Sequence, residues 1–362
     1  MKDIENNQAI EESKNLVLEE QEADEPLDRN VRLMSPTQMV VRRFFRSKLS
    51  VIGIIMLVAL FLFCFLGPVV YNKWGEIEVD ESPIVEYTSK TIQYDKNGKT
   101  HTIYQITEKI EKENALAPLS SEHPLGTDET GYDVLTRLMY GGRISLTLGF
   151  VVVILETIIG IIMGGIAGYF GGVIDNIIMR ICDILMCLPG IPILLIVGVL
   201  LNGWISEGYA FITGETRIYF LMIFISCISW PGTARLVRGQ ILSLREQEYM
   251  VAAEAMGYST FRKIFKHLIP NVMPQLIVQM TLSLGGMIIY ESTLSYLGFG
   301  VKAPNTAWGT ILNLFEEANG FEIAMANPII WVPAGLCIVI AVLGFNFVGD
   351  GLRDALDPKS RR

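Results

Sequence analysis

VIGIIMLVALFLFCFLGPVV, residues 51–70, runs for twenty residues without a charged side chain. At ~1.5 Å of rise per residue, a helix of that length crosses a hydrocarbon core of ~30 Å. Residues 184–206, 268–290 and 323–349 are uncharged throughout and read the same way. Two further candidates are less uniform. Residues 144–155 and 157–174 are separated only by Glu156, and residues 218–234 end before Arg235. The expectation is an all-α polytopic membrane protein with six transmembrane helices. Gly164, Gly165, Gly168, Gly171 and Gly172 mark a tail of the second helix that holds its exit turn.

Composition agrees with this reading. Apolar residues make up 51% of the chain and charged residues 19%, against roughly 25% charged in a soluble domain. The net charge of −9, with no basic face, argues against a nucleic-acid partner. Cys64, Cys182, Cys187, Cys227 and Cys337 lie in or beside apolar stretches without CxxC spacing, as small buried hydrophobes do. His101 and His123 lack companions at metal spacing and read as surface histidines. No nucleophile, base and stabiliser set suggests an enzyme, and no GxxxxGK[ST] suggests a nucleotide site.

Flanking charge orients the helices. Residues 1–28 carry ten acidic and two basic side chains and no early apolar core. They read as a disordered acidic tail and not as a signal peptide. Residues 29–50 form a basic lead-in with Arg29, Arg32, Arg42, Arg43, Arg46 and Lys48, so the positive-inside rule puts the N-terminus in the cytoplasm. Residues 71–142 then fall outside, with seven Lys or Arg against thirteen Asp or Glu. Residues 143–350 form a five-helix core that includes a basic cytoplasmic loop at 243–270, and residues 351–362 form a cytoplasmic tail. Within the outer segment, residues 86–108 alternate Ile, Tyr and Thr with polar residues around Asp95-Lys96-Asn97-Gly98. This pattern suits either a small hairpin or an irregular insertion.

The inner loop reads SLREQEYMVAAEAMGYSTFRKIFKHLIP, residues 243–270. Ser243 and Glu246 have capping-box spacing. Tyr249, Ala252, Ala253 and Met256 then recur on one narrow helical face. Gly257 interrupts the pattern, and Ser259 can cap a second helix in which Phe261, Ile264, Phe265 and Leu268 repeat it, opposite Arg262, Lys263 and Lys266. Pro270 closes the unit at the membrane. By physics alone the pair is either a lever gripped by another protein or an interfacial pair on lipid headgroups.

The loop resembles the coupling motif of binding-protein-dependent ABC importer permeases, E-A-A, three residues, G, then a tail ending near a proline. It maps onto Val251-Ala252-Ala253, Gly257, His267 and Pro270, with Val251 in place of the glutamate and Glu254 three residues on. HPLGTDETGYDVLTRLMYGGRISLTLG at 123–149, SWPGTARLVRGQILSLREQEYM at 229–250, LSYLGFG with Pro304 and AWG, and GFNFVGDGLRDALDP at 344–358 are similar to the oligopeptide and dipeptide branch. Tyr132 stands where that branch often has arginine. The resemblance implies a type I importer core and a C-type subunit paired with a homologous B-type subunit. It also implies two cytoplasmic ATPase subunits that carry ATP and Mg, an extracytoplasmic peptide-binding protein, and no cofactor on this chain. Tyr249, Ala252, Ala253, Met256, Gly257, Phe261, Ile264, Phe265, His267 and Pro270 would then couple to an ATPase.

In-span polar groups either face a peptide route or make interhelical and membrane-edge contacts. They are Glu156, Asn202, Gln275, Gln279, Glu291 and Asn346, together with Asp175, Asp183 and Asn271. Glu156 stands out because it interrupts an apolar run near mid-span, where charge is expensive. Pro189 and Pro192 should bend the third span, and Pro270 with Pro274 the fifth. Competing readings are the same architecture importing nickel or another small solute, and a membrane receptor or assembly factor. Parity and charge bias make a direct prediction: Lys96→Cys and Arg262→Cys, singly and in a background lacking reactive native cysteines, label from opposite sides of the membrane. Labelling from one side would reject six crossings.

Overall fold

A computed structural model of the chain describes residues 35–71, 84–96, 99–111, 116–206, 216–301, 305–316 and 320–357. The acidic tail of residues 1–28 lies outside the described residues. Helix α1, Pro36–Arg46, opens with a reciprocal cap in which Ser35 Oγ accepts from the Gln38 amide and Gln38 Oε1 accepts from the Ser35 amide, at 3.3 and 3.2 Å. The first apolar run lies in α2, Lys48–Val70, whose residues Leu62–Leu66 form a π-helical turn. Strands β1, Ile84–Lys96, and β2, Lys99–Glu111, then pair antiparallel with Lys96 opposite Lys99. The hairpin alternative therefore holds, in an otherwise helical protein. Asn97 and Gly98 lie outside the described residues.

Helix α3, Val134–Phe170, spans 37 residues straight past Glu156. Asp133 caps it, accepting from the Thr136 amide at 2.7 Å. The exit turn falls at the last two glycines of the expected cluster. Gly160, Gly164 and Gly168 are helical, and the chain turns only at Gly171 and Gly172, with φ of +66° and +56°. Helices α4, Gly172–Cys187, and α5, Gly190–Ser206, follow. The apolar run 184–206 is thus not one helix: an 81° bend divides it at Leu188-Pro189. Leu188 adopts the extended conformation that a following proline favours.

Helix α6, Arg217–Leu244, is followed by the short α7, Glu248–Ala255, and by α8, Thr260–Tyr296. The expected capping box does not form, because Ser243 lies in the last turn of α6 and Gln247 stands at the N-terminus of α7. Pro270 does not end the helix either. The π-helical turn Lys263–Leu268 precedes it, and such a turn absorbs the missing donor and the ring clash that a proline brings to a regular helix. Helices α9, Trp308–Leu312, α10, Gly320–Ala326, and α11, Pro328–Leu356, complete the chain. Among the described residues five helices are long and apolar enough to cross a membrane, or six if the bent pair α4–α5 forms one span.

Glycines set the closest packing. A methyl on Gly160 would lie 2.7 Å from Thr233, and one on Gly164 would lie 2.4 Å from the Ala234 carbonyl oxygen, so α3 and α6 touch backbone to backbone. A second layer forms where Gly53 of α2 meets Phe347, and Gly344 of α11 meets Leu57. Trp308 closes the far end, fully buried against Gly142, with its indole donating to the Leu138 carbonyl at 3.0 Å. Of the cysteines, Cys64, Cys182 and Cys337 are buried as expected. Cys187 and Cys227 are exposed, because each falls on an outward helical face of the chain.

The seam gives a direct test. Gly164→Val should force α3 and α6 apart at a cost of roughly 1–3 kcal/mol and lower the unfolding midpoint of the purified protein in detergent. Gly232→Ala in α6, where nothing lies within 4 Å of the added methyl, should leave it unchanged. Equal midpoints for both variants would refute the seam.

Candidate coupling loop and polar membrane face

The loop between α6 and α8 is built on its inward side. Met250 and Ala253 of α7 are buried, and Met250 joins Val237 and Ile241 of α6 and Leu268, Val272 and Leu276 of α8 in one apolar cluster. Arg245 Nη1 donates to the carbonyls of Gly168 and Tyr169 at 3.3 Å each, tying the loop to the last turn of α3, where helix carbonyls lack partners. At Gly257 φ is +71°, and the amides of Gly257 and Tyr258 donate to Glu254 and Ala253, the paired closure that glycine permits at a helix end. Ser259 then caps α8 by accepting from the Arg262 amide at 3.4 Å, as its spacing predicts.

The outward side is apolar and open. Met256 is 63% exposed and Phe261 69% exposed, with Tyr249, Val251, Ala252 and Phe265 exposed around them. The rings of Phe261 and Phe265 stand 4.3 Å apart. Two expected residues turn the other way, Ala253 to full burial and Ile264 to half-burial beside the cluster. The basic face is divided too. Lys266 is exposed, but Lys263 is buried, over the Tyr169 ring and 3.8 Å from Glu254. Glu254 therefore faces across Gly257 to the second half of the loop, and Val251 occupies the motif's position on the open side. Tyr258 lies between Arg262, 4.2 Å above its ring, and the half-buried, stacked His267. Pro270 is exposed within α8.

The in-span polar residues separate into ties and an open stripe. Asp175 of α4 takes a two-point contact from Arg238 of α6 at 2.5 and 2.6 Å, and Asp183 contacts Arg235 at 2.5 Å. Asn346 is half-buried against Gly285 of α8, an interhelical contact. Glu291 is completely buried, one oxygen accepting from Ser295 at 2.6 Å and the other lacking a hydrogen-bond partner among the described residues. Asn202 accepts from Arg217 at 2.5 Å. Arg217, which sequence reading passed over as a helix boundary, has 0% exposure and also donates to the Gly298 and Gly300 carbonyls at 3.1 and 2.5 Å. Its only sequence signal is its place at the edge of an apolar run.

On α8, by contrast, Asn271 and Gln275 are exposed and Gln279 half-exposed, one helical turn apart each. Glu156 of α3 is 3% exposed.

At the end opposite the loop, Asp128, Tyr132, Arg137, Ser295 and Asn313 help line a cavity of about 410 Å³. Gly126 and Gly131 there have φ of +73° and +83°, which accounts for two glycines of the Gly126-Thr127-Asp128 and Gly131 pattern. His123 is not a plain surface histidine: it and Tyr71 both contact Asp133 at 2.9 Å. The side chain of His101 lies outside the described residues.

Comparison with known proteins matches residues 157–362 to the binding-protein-dependent transport system inner membrane component and residues 35–81 to the N-terminal transmembrane domain of oligopeptide transport permease C. The chain is 35% identical to the dipeptide transport system permease protein of Bacillus subtilis over 331 residues, 91% of this chain and 88% of that one. It is also 35% identical to the oligopeptide transport system permease protein of the same organism, covering 88% of each. With the glutathione transport system permease protein of Pectobacterium atrosepticum it shares 37% identity over 66% of this chain and 74% of that one. The chain belongs to the binding-protein-dependent transport system inner membrane component family.

Proposed function

We propose that this chain is one permease subunit of an ATP-driven importer of dipeptides or oligopeptides. The observation that carries the reading is the loop's two-sidedness: an apolar surface open to a partner, on a unit whose other side is packed into both α6 and α8. An exposed apolar patch of this kind marks a contact with protein or lipid, and membership of a multi-component transport family favours protein. The relatives' names supply the solute class.

In this reading both termini and the loop are cytoplasmic. The loop docks on one of two ATPase subunits, which bind ATP and Mg. A homologous permease subunit completes the pore, and a peptide-binding protein delivers solute from outside.

The geometry supports a lever. Helix α8 is 37 residues long, about 55 Å at the usual rise, so its first turns extend beyond a ~30 Å hydrocarbon core. Movement at Phe261 enters α8 directly, and movement at Met256 passes through Met250 of α7 into α6 and α8. Because α6 meets α3 backbone to backbone, α3 moves with it. The exposed amides of Asn271 and Gln275 would be costly against lipid and suit a water-lined route for the peptide's charged ends and unpaired backbone.

The test is reconstitution with the partner subunits and a panel of defined peptides beside nickel and sugar controls. Peptide-specific, ATP-dependent uptake is expected, and uptake of only the control solutes would overturn the assignment. Met256→Arg should weaken ATPase association roughly thirtyfold, about 2 kcal/mol, as for a central interface residue. Gly257→Pro, which cannot adopt positive φ, should lower peptide uptake per ATP hydrolysed while ATPase binding persists. Lys266→Ala should match wild type in both. If Met256→Arg and Gly257→Pro retain wild-type association and uptake, the loop is not the lever.

A further inference from the structure

Ser47 breaks the helix just before the first span. Its φ of −75° and ψ of 118° are extended, and its hydroxyl caps α2 by accepting from the Ser50 amide at 3.4 Å. Helix α1 therefore leaves the axis of α2 close to where the charge-free run begins. Two phenylalanines part at this corner. Phe44 is buried, and a methyl on Gly351 of α11 would lie 3.2 Å from its ring. Phe45, its ring edge-on to that of Phe44 at 5.5 Å, is 59% exposed, and Leu49 past the break is 57% exposed.

Charge is arranged around the same corner. With 3.6 residues per turn, Arg43 and Arg46 fall within about 60° of each other on α1, and Phe44 and Phe45 on the opposite side. Arg43, Arg46 and Lys48 are exposed, and among the described residues none of them has a carboxylate at ion-pair distance. Residues 29–70 contain six Lys or Arg and no Asp or Glu. Water alone satisfies the cations and leaves Phe45 and Leu49 wet, whereas a membrane interface satisfies both, with rings among acyl chains and cations among headgroups. Arg43 and Arg46 are three residues apart, hence neighbours on the helix surface, and a guanidinium offers paired N–H groups that match phosphate oxygens. A zwitterionic headgroup carries its own ammonium beside the phosphate, so an anionic headgroup is the better match.

We propose that Arg43, Phe45, Arg46, Lys48 and Leu49 form a binding surface for anionic phospholipid, with one headgroup phosphate held between Arg43 and Arg46 and Phe45 set among the acyl chains. Phe44 ties this corner to the end of α11, so the lipid is held where the first and last spans meet. The surface goes beyond the permease reading and takes from it only the leaflet: with a cytoplasmic N-terminus, the lipid is that of the inner leaflet.

The experiment uses the full chain in nanodiscs of equal parts phosphatidylglycerol and phosphatidylcholine, one or the other brominated in its acyl chains. A fluorophore on Leu49→Cys, with the exposed Cys187 and Cys227 replaced by serine, reports which lipid is adjacent by quenching. At low salt the wild-type corner should prefer phosphatidylglycerol roughly twenty-five-fold, about fivefold for each arginine near an anionic surface. Arg43→Gln and Arg46→Gln should each lose about fivefold, and the double variant should show no preference. High salt should abolish the preference of the unmutated corner by screening, which repeats the test without touching either arginine. Lys266→Ala in the distant loop should leave it unchanged.

A second fluorophore on Phe45→Cys should be quenched by both brominated lipids. Equal quenching by the two lipids at Leu49→Cys would overturn the proposal and give the cations to the acidic residues 1–28 or to a partner protein. A preference that survives the double variant, or an unquenched label at position 45, would overturn it as well. Both leaflets of the nanodisc have one composition and no transport is measured. Failure here therefore leaves the permease reading standing, and a reconstituted complex that moves no peptide leaves the lipid surface standing.

Discussion

The contact on which the remainder depends is the glycine seam between α3 and α6. Lipid tails are as apolar as leucine, so helices inside a bilayer gain little from hiding apolar surface and associate through close packing. At Gly164 the facing atom is the Ala234 carbonyl oxygen, and at Gly160 the Thr233 side chain and the Ala234 amide lie directly against the glycine. That registration brings Arg245 to the carbonyls at the end of α3. It also fixes the part of α6 from which Arg238 reaches Asp175.

Much of the helical layout is legible in sequence, for a reason that also explains where legibility stops. Charge-free runs such as residues 51–70 announce themselves because an unpaired charge in hydrocarbon is costly. Hydropathy carries no direction, however, so residues 184–206 read as one span, and only the expected bend at Pro189 pointed to the 81° break inside them. Ser259 and Gly257 could be read because a cap and a left-handed turn are local backbone events. Ser243 misled because a local capping signal yields to tertiary packing, here α6 continuing past Ile241, which is buried against Gly168. Arg217 gave no usable signal: a charge beside an apolar run looks like an edge whether it meets water or, as here, carbonyl oxygens.

For the loop, spacing identified the two helices but not which side of each is spoken for. Ala253 and Met256 are indistinguishable by periodicity, yet one is buried and the other open. The departure at Val251 becomes intelligible on that basis. The fold of the loop depends on Met250, Ala253, Gly257 and the Glu254–Lys263 contact, all of which leave position 251 free of structural duty. A change there alters the chemistry offered to a partner without altering the shape that offers it. The in-span polar residues divide similarly. Asp175, Asp183, Asn202 and Asn346 serve neighbouring helices, while Asn271, Gln275 and Gln279 keep part of their surface open.

The tie between Asp175 and Arg238 also bears on how the chain is made. The two residues are 63 positions apart in sequence, and at ordinary elongation rates the aspartate is added to the chain roughly 3–13 s before its arginine. During that interval α4 carries a carboxylate with no guanidinium to meet it, and α6 later arrives with Arg235 and Arg238 both seeking acceptors. Neither helix reaches its final environment alone. The order of synthesis therefore separates the partners of the ion pairs that fasten α4 to α6 in the finished bundle.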